Sequence, residues 1–191
     1  MKVNNTKLQG LLTIELDCFN DERGFFLESF HEERYKSHGI SDVFVQENHS
    51  RSSQGVLRGM HYQVRKPQAQ IVTIMHGSVY YVCVDVRRGS STFGMWHGIE
   101  LNDRDIMQLY MSPGLAGGFC VLSEVADLHY NVSGFYDAND EGGLFWNDLD
   151  VGIQWPIDNP VVTARDAGYP KLKAHTAIQL PHGPFNNSGK P

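Results

Sequence analysis

The segment Ser78–Arg87, SVYYVCVDVR, limits the fold most, because its β-branched and aromatic side chains alternate with a period of two. Val79, Tyr81, Cys83 and Asp85 fall on one face and Tyr80, Val82, Val84 and Val86 on the other. A strand that is bulky on both faces belongs inside a sheet, not at its edge. Shorter runs of similar character lie at Gln70–Met75, Gly94–Leu101, Ile106–Met111, Gly118–Leu122 and Leu128–Val132. His76-Gly77, Arg88-Gly89-Ser90, Asn102-Asp103 and Ser112-Pro113-Gly114 separate them with turn chemistry. Strands at this spacing predict an all-β sandwich or barrel.

Helical signals are few. Phe30–His38 carries Glu32 and Glu33 early and Lys36 and His38 late, and Gly39 is placed to end the helix in a left-handed conformation. This predicts a short peripheral helix. Beyond Pro156 the chain is punctuated by prolines, and Thr163 is placed to cap one turn containing Arg165 and Asp166. The glycine-rich pieces Gly114–Gly118 and Gly142-Gly143 read as turns. With 191 residues, 41% of them hydrophobic, the chain suffices for one domain over 1–180, and 181–191 reads as a disordered tail.

Several function classes are disfavoured. A formal charge of -6 with scattered arginines argues against a nucleic-acid surface. No GxGxxG follows a strand, and no GxxxxGK[ST] occurs. Nine histidines form no HxH and no HExxH, and the cysteines no CxxC, so no metal site is expected. The three cysteines, Cys18, Cys83 and Cys120, are odd in number and read as reduced. The amino end is too interrupted by polar residues for a signal peptide or membrane span, so a cytoplasmic location is expected.

Chemistry concentrates in Gln46–Gln63, QENHSRSSQGVLRGMHYQ, where His61 follows Arg58 by three residues. A base beside an anion anchor points to proton transfer on a phosphorylated small molecule. In a regular strand the two side chains would face opposite ways. A bulge at Gly59 would bring both to one side.

Five blocks extend this pattern: FNDERGFFLESF at Phe19–Phe30, the Gln46–Gln63 segment, VDVRRGSSTFGMW at Val84–Trp96, SPGLAGGFCVLSE at Ser112–Glu124 and LFWNDLDVGIQWP at Leu144–Pro156. In this order, over about residues 8 to 175, the chain resembles the dTDP-4-dehydrorhamnose 3,5-epimerase family. The resemblance implies a cupin-type double-stranded β-helix (jelly-roll) barrel with a few short peripheral helices, usually a homodimer. It also implies action on a dTDP- or CDP-linked 4-keto-6-deoxyhexose in deoxysugar or O-antigen-type polysaccharide biosynthesis, without metal or organic cofactor.

Epimerisation beside a ketone removes a proton to give an enolate and returns one to the opposite face. Two groups are needed. By resemblance His61 is the proton acceptor, Asp166 its carboxylate partner and Tyr130 the proton donor, while Arg23, Glu28, Gln46, Glu47, Asn48, Arg58, Gln70, Glu141 and Arg165 hold the substrate and Tyr136 stacks on the nucleobase. A histidine titrating at about 6.5 is far weaker than an enolate requires, so enolate stabilisation must close the gap. The chain departs from the family pattern at Gln70 for a lysine, Gly117 for a histidine, Tyr81 for an aspartate and Phe135 for a tyrosine. These departures point to an altered substrate or to inversion at one carbon, 3 or 5. The competing expectations are a sugar 3,4-ketoisomerase, a sugar-nucleotide-binding protein without turnover and a metal-dependent cupin oxygenase.

Overall fold

The structure, a computed structural model, describes residues 1–175, 180 and 181. The 181–191 tail expectation lies, beyond Pro181, outside the described residues. In the amino-terminal part stand β1 (Lys2–Asn5), β2 (Leu11–Glu15), β3 (Cys18–Asp21), β4 (Gly24–Leu27) and α1 (Glu32–Ser37). Strands β5 (Gln46–Ser53), β6 (Leu57–Gln63), β7 (Gln70–His76), β8 (Ser78–Asp85) and β9 (Trp96–Asn102) follow. Then come β10 (Met107–Met111), β11 (Leu115–Val121), β12 (Val125–Val132), β13 (Glu141–Gly143) and the short α2 (Ala164–Ala167).

Two antiparallel sheets form the body, with strand orders β1-β2-β10-β7-β12-β5 and β13-β6-β11-β8-β9. From β5 to β12 the chain passes repeatedly between the sheets, giving the expected jelly roll. The third sheet is the β3–β4 hairpin.

The period-two pattern fixes which side chains meet. Val72, Ile74, Leu109 and Leu128 from the six-stranded sheet pack with Val79, Tyr81, Cys83, Leu115 and Phe119 from the five-stranded sheet. Each fully buried aliphatic side chain stabilises this layer by about 1.5–3 kcal/mol, so a one-residue slip would forfeit a whole strand's contribution. The other face of β8 is covered as well: Val82 and Val84 pack with Met60, Leu144, Val151 and Ile153. This accounts for the bulk on both of its faces. The strand stops at Asp85, short of Arg87, because the buried Asp85 carboxylate accepts Arg87 N–H (2.9 Å) and the Ser90 and Thr92 hydroxyls (2.5 Å each) and turns the chain.

Helix α1 begins after His31, whose extended backbone shortens the expected span. Gly39 ends it with φ +86°, and Tyr35, Ile40, Ile71 and Tyr110 pack together outside the six-stranded sheet. The reading of Gly114–Gly118 and Gly142-Gly143 as turns requires correction: Gly117 and Gly118 lie in β11, and Gly142 and Gly143 in β13. A Cβ on Gly118 would stand 2.6 Å from Met60 Sδ, and one on Gly143 2.3 Å from the Tyr169 ring. These strand glycines admit close neighbours.

Candidate active site

A cavity of about 400 Å³ opens between the two sheets, within the usual range for small-molecule sites. From the six-stranded sheet β5 contributes Gln46, Asn48 and Ser50, β7 Gln70 and Val72, and β12 Leu128, Tyr130 and Val132. The opposite wall carries Arg58 and His61 from β6, Tyr81 from β8, and Leu115, Gly117 and Phe119 from β11.

Arg58 and His61 share the cavity because β6 is bulged. His61 pairs with Gly117 and Arg58 with Phe119, so three steps along β6 match two along β11. Gly59, inside the bulge, has φ +136°, and a Cβ there would lie 2.6 Å from Gly118 Cα. Only glycine fits without displacing backbone. Its N–H donates to Asp166 Oδ2 at 3.1 Å, tying the bulge to α2.

Thr163 caps α2 by accepting the Asp166 N–H at 3.2 Å, which holds the Asp166 side chain beneath β6. Its Oδ1 lies 3.0 Å from His61 Nε2 and accepts Arg165 Nε–H, also at 3.0 Å. Burial opposes ionisation of Asp166, but the bonds from His61, Gly59 and Arg165 outweigh it and hold the carboxyl well below the usual carboxylate range. An ionised carboxylate only accepts, so the proton in the shorter His61–Asp166 bond sits on Nε2, and Arg165 Nη2, 3.3 Å from that nitrogen, finds no acceptor there. Among the described residues nothing bonds Nδ1. The imidazole therefore presents a lone pair there. Tyr169 packs edge-on against the ring, with centroids 5.8 Å apart.

Across the cavity, burial raises the Tyr130 pKa, with Arg58 opposing and Glu141 adding to the shift. The phenol is protonated at neutral pH and suited to donation. At the mouth Glu141 accepts from Tyr136 Oη (2.6 Å) and pairs with Arg165 (3.0 Å). Gln46 accepts the Tyr136 N–H at 3.1 Å and donates to Asn48 Oδ1 at 2.9 Å. Arg58 donates through Nε to Ser52 Oγ at 2.9 Å. Among the described residues no group of three His, Cys, Asp or Glu side chains is arranged to hold a metal.

Ten of the thirteen residues expected at the site line this cavity: His61, Tyr130, Asp166, Gln46, Asn48, Arg58, Gln70, Tyr136, Glu141 and Arg165. Three do not line it within the single chain. Glu47 sits between Gln46 and Asn48, so strand alternation turns it outward, where it accepts from Asn131 at 2.8 Å. Arg23 lies at the turn of the exposed β3–β4 hairpin, paired with Asp21, and Glu28 pairs with Arg34 at 3.3 Å. Of the departures, Gln70, Gly117 and Tyr81 line the cavity, whereas Phe135 is exposed outside it. Sequence reasoning missed Ser50 and Tyr169. For Ser50 the signal was present, since it continues the alternation of Gln46 and Asn48; for Tyr169 there was none.

Residues 5–174 match the sequence family described as dTDP-4-dehydrorhamnose 3,5-epimerase. The chain is 42% identical to an enzyme of that name from Shigella flexneri, over 87% of this chain and 93% of the relative. It is 37% identical to a dTDP-4-dehydrorhamnose 3-epimerase from Streptomyces niveus, over 87% and 81%. A crystal structure of dTDP-6-deoxy-D-glucose-3,5-epimerase from Legionella pneumophila, in complex with dTDP-4-keto-L-rhamnose, superposes with a TM-score of 0.93 at 40% identity, covering 96% of this chain and 98% of the other.

Proposed function

The chain belongs to the dTDP-4-dehydrorhamnose 3,5-epimerase family, and on that footing we propose that it epimerises a nucleotide-linked 4-keto-6-deoxyhexose in deoxysugar biosynthesis. One observation carries the reading: an imidazole with an ionised carboxylate behind it and a protonated phenol line one cavity from opposite sheets. His61 Nδ1 takes the proton from the carbon beside the ketone, and Asp166 holds the imidazolium that forms. Tyr130 Oη–H returns a proton to the other face of the enolate. Arg58 and Arg165 hold the diphosphate and Tyr136 the nucleobase, with Gln46, Asn48, Gln70 and Glu141 as polar partners. His61 then gives its proton up and the Tyr130 phenolate takes one up from solvent, which resets both groups.

Three exposed phenylalanines on the β3–β4 hairpin, Phe19, Phe25 and Phe26, favour a homodimer. A two-stranded hairpin is marginal alone, and a second chain would cover its apolar face. That arrangement gives Arg23 and Glu28 a role at the partner's cavity. A chromatographic mass equal to one chain would contradict it. The free thiols Cys18, Cys83 and Cys120 fit a cytoplasmic enzyme, and among the described residues no helix is long and apolar enough to cross a membrane.

Incubation with dTDP- and CDP-linked 4-keto-6-deoxyglucose in heavy water, read by mass spectrometry and NMR, tests the reaction. Deuterium enters at each inverted carbon. Uptake at carbon 3 alone is the second reading, favoured by the similarity to a 3-epimerase and by the uncharged Gln70, Tyr81 and Gly117 in the wall. Binding without uptake would leave a non-catalytic protein, and a migrated ketone would make it a 3,4-ketoisomerase.

A further inference from the structure

The inner face of β5 presents four polar side chains in a row: Gln46, Asn48, Ser50 and Ser52. Three are engaged. Gln46 bonds to Asn48, and Ser52 accepts from Arg58. Ser50 differs: its Oγ is buried and has no hydrogen-bond partner among the described residues, although the residue lines the cavity. Orphaned buried hydroxyls are uncommon, and each calls for a physical explanation.

Register defines where a partner to Ser50 would sit. Asn48 is directly opposite Tyr130 and Ser50 directly opposite Leu128, so Ser50 is the diagonal neighbour of Tyr130, a backbone separation of about 7–8 Å. On its other side along the strand comes Ser52, which carries Arg58. Ser50 thus stands between the phenol and the guanidinium, where a sugar ring would lie if its diphosphate met Arg58 and its reacting carbon met Tyr130.

We propose that the Ser50 hydroxyl is a specificity-determining contact that hydrogen-bonds an oxygen substituent of the hexose ring, and not the phosphates or the base. This rests on the epimerase reading, which supplies the sugar. The contact requires the hydroxyl to reach the cavity by rotation about its one side-chain torsion, between staggered wells. The bond then satisfies a group that the protein itself leaves unpaired, so the sugar is favoured over water-filled or deoxygenated alternatives.

The test is Ser50→Ala, assayed in heavy water with the dTDP-linked keto-sugar and titrated separately with dTDP, which has the base and diphosphate but no sugar. The expected result is a fall in kcat/KM of about ten- to a hundredfold, with unchanged dTDP affinity. The melting temperature should stay level or rise, since the deleted group made no bond in the folded chain. A structural hydroxyl would instead lower it. Unchanged kcat/KM, as expected if Ser50 merely holds a water, overturns the proposal, as does a matching loss of dTDP affinity. Absence of deuterium uptake by the wild type from both the dTDP- and the CDP-linked keto-sugar would defeat the epimerase reading instead, so the two failures are distinguishable.

Discussion

Replacing Asp166 by asparagine isolates the contribution of its charge. The carboxylate accepts three donors, Gly59 N–H at 3.1 Å and His61 Nε2–H and Arg165 Nε–H at 3.0 Å each. An amide offers only one oxygen, so its NH₂ must oppose an existing donor. If it faces His61, the imidazole is driven to the other tautomer and Nδ1 loses its lone pair. If it faces Gly59, the tautomer survives but a buried N–H is orphaned. In both cases the imidazolium loses its counter-charge. At 3.0 Å and an effective dielectric of about 20 the attraction is about 5.5 kcal/mol, an upper bound because desolvation opposes it. A charge-assisted hydrogen bond, about 1.5–3 kcal/mol, gives the lower bound. A barrier increase near 4 kcal/mol slows exchange about a thousandfold. The assay is deuterium uptake from heavy water into the keto-sugar, with dTDP binding and melting temperature as folding controls. Exchange within about tenfold of wild type, in a folded protein, would refute the assignment of Asp166 as the partner that holds His61.

Tyr130→Phe should leave the base intact, so deuterium enters recovered starting material while epimerised product falls by about a hundredfold or more, as NMR would resolve. Gly117→Ala places a Cβ 2.7 Å from Tyr81 Oη and 2.8 Å from Met111 Cε, and should destabilise by about 1–3 kcal/mol. Adding Tyr81→Phe removes the closest atom and should recover part of the loss in denaturant melts; strict additivity of the two changes would contradict the packing described. The bonds from Arg51 lower the Asp127 pKa to about 2, with burial opposing. Its folded value is below its unfolded one, so this stabilisation is complete above about pH 4 and is lost as pH falls toward 2. Asp127→Asn should therefore flatten the stability curve over that window in acid melts.

How much of this was legible in the sequence follows from which interactions are local. Alternation at Ser78–Arg87 marked β8 because both of its faces are apolar, and Gly39 and Thr163 marked helix ends because caps are made within a few residues. Strand β5 gave no apolar rhythm: its inner face is Gln46, Asn48, Ser50 and Ser52, and a strand that lines a polar cavity lacks the periodicity by which strands are found. Strands β1–β4 and β13 were also missed, being short or mixed in pattern. Resemblance named thirteen residues, but whether each meets the cavity depended on strand facing and on the hairpin's position, which single-residue correspondence does not carry.

By itself the sequence determined an all-β chain, its family and the chemical types available for moving a proton, since these reside in side-chain identity and short-range order. Only the tertiary structure decided that Arg58 and His61 face one way across a bulge, that Glu47 faces the other, and that Tyr81 fills the room Gly117 leaves. His61 and Asp166 are 105 residues apart in the chain and 3.0 Å apart in space. Such a contact forms only when α2 packs onto β6, and no local pattern encodes it.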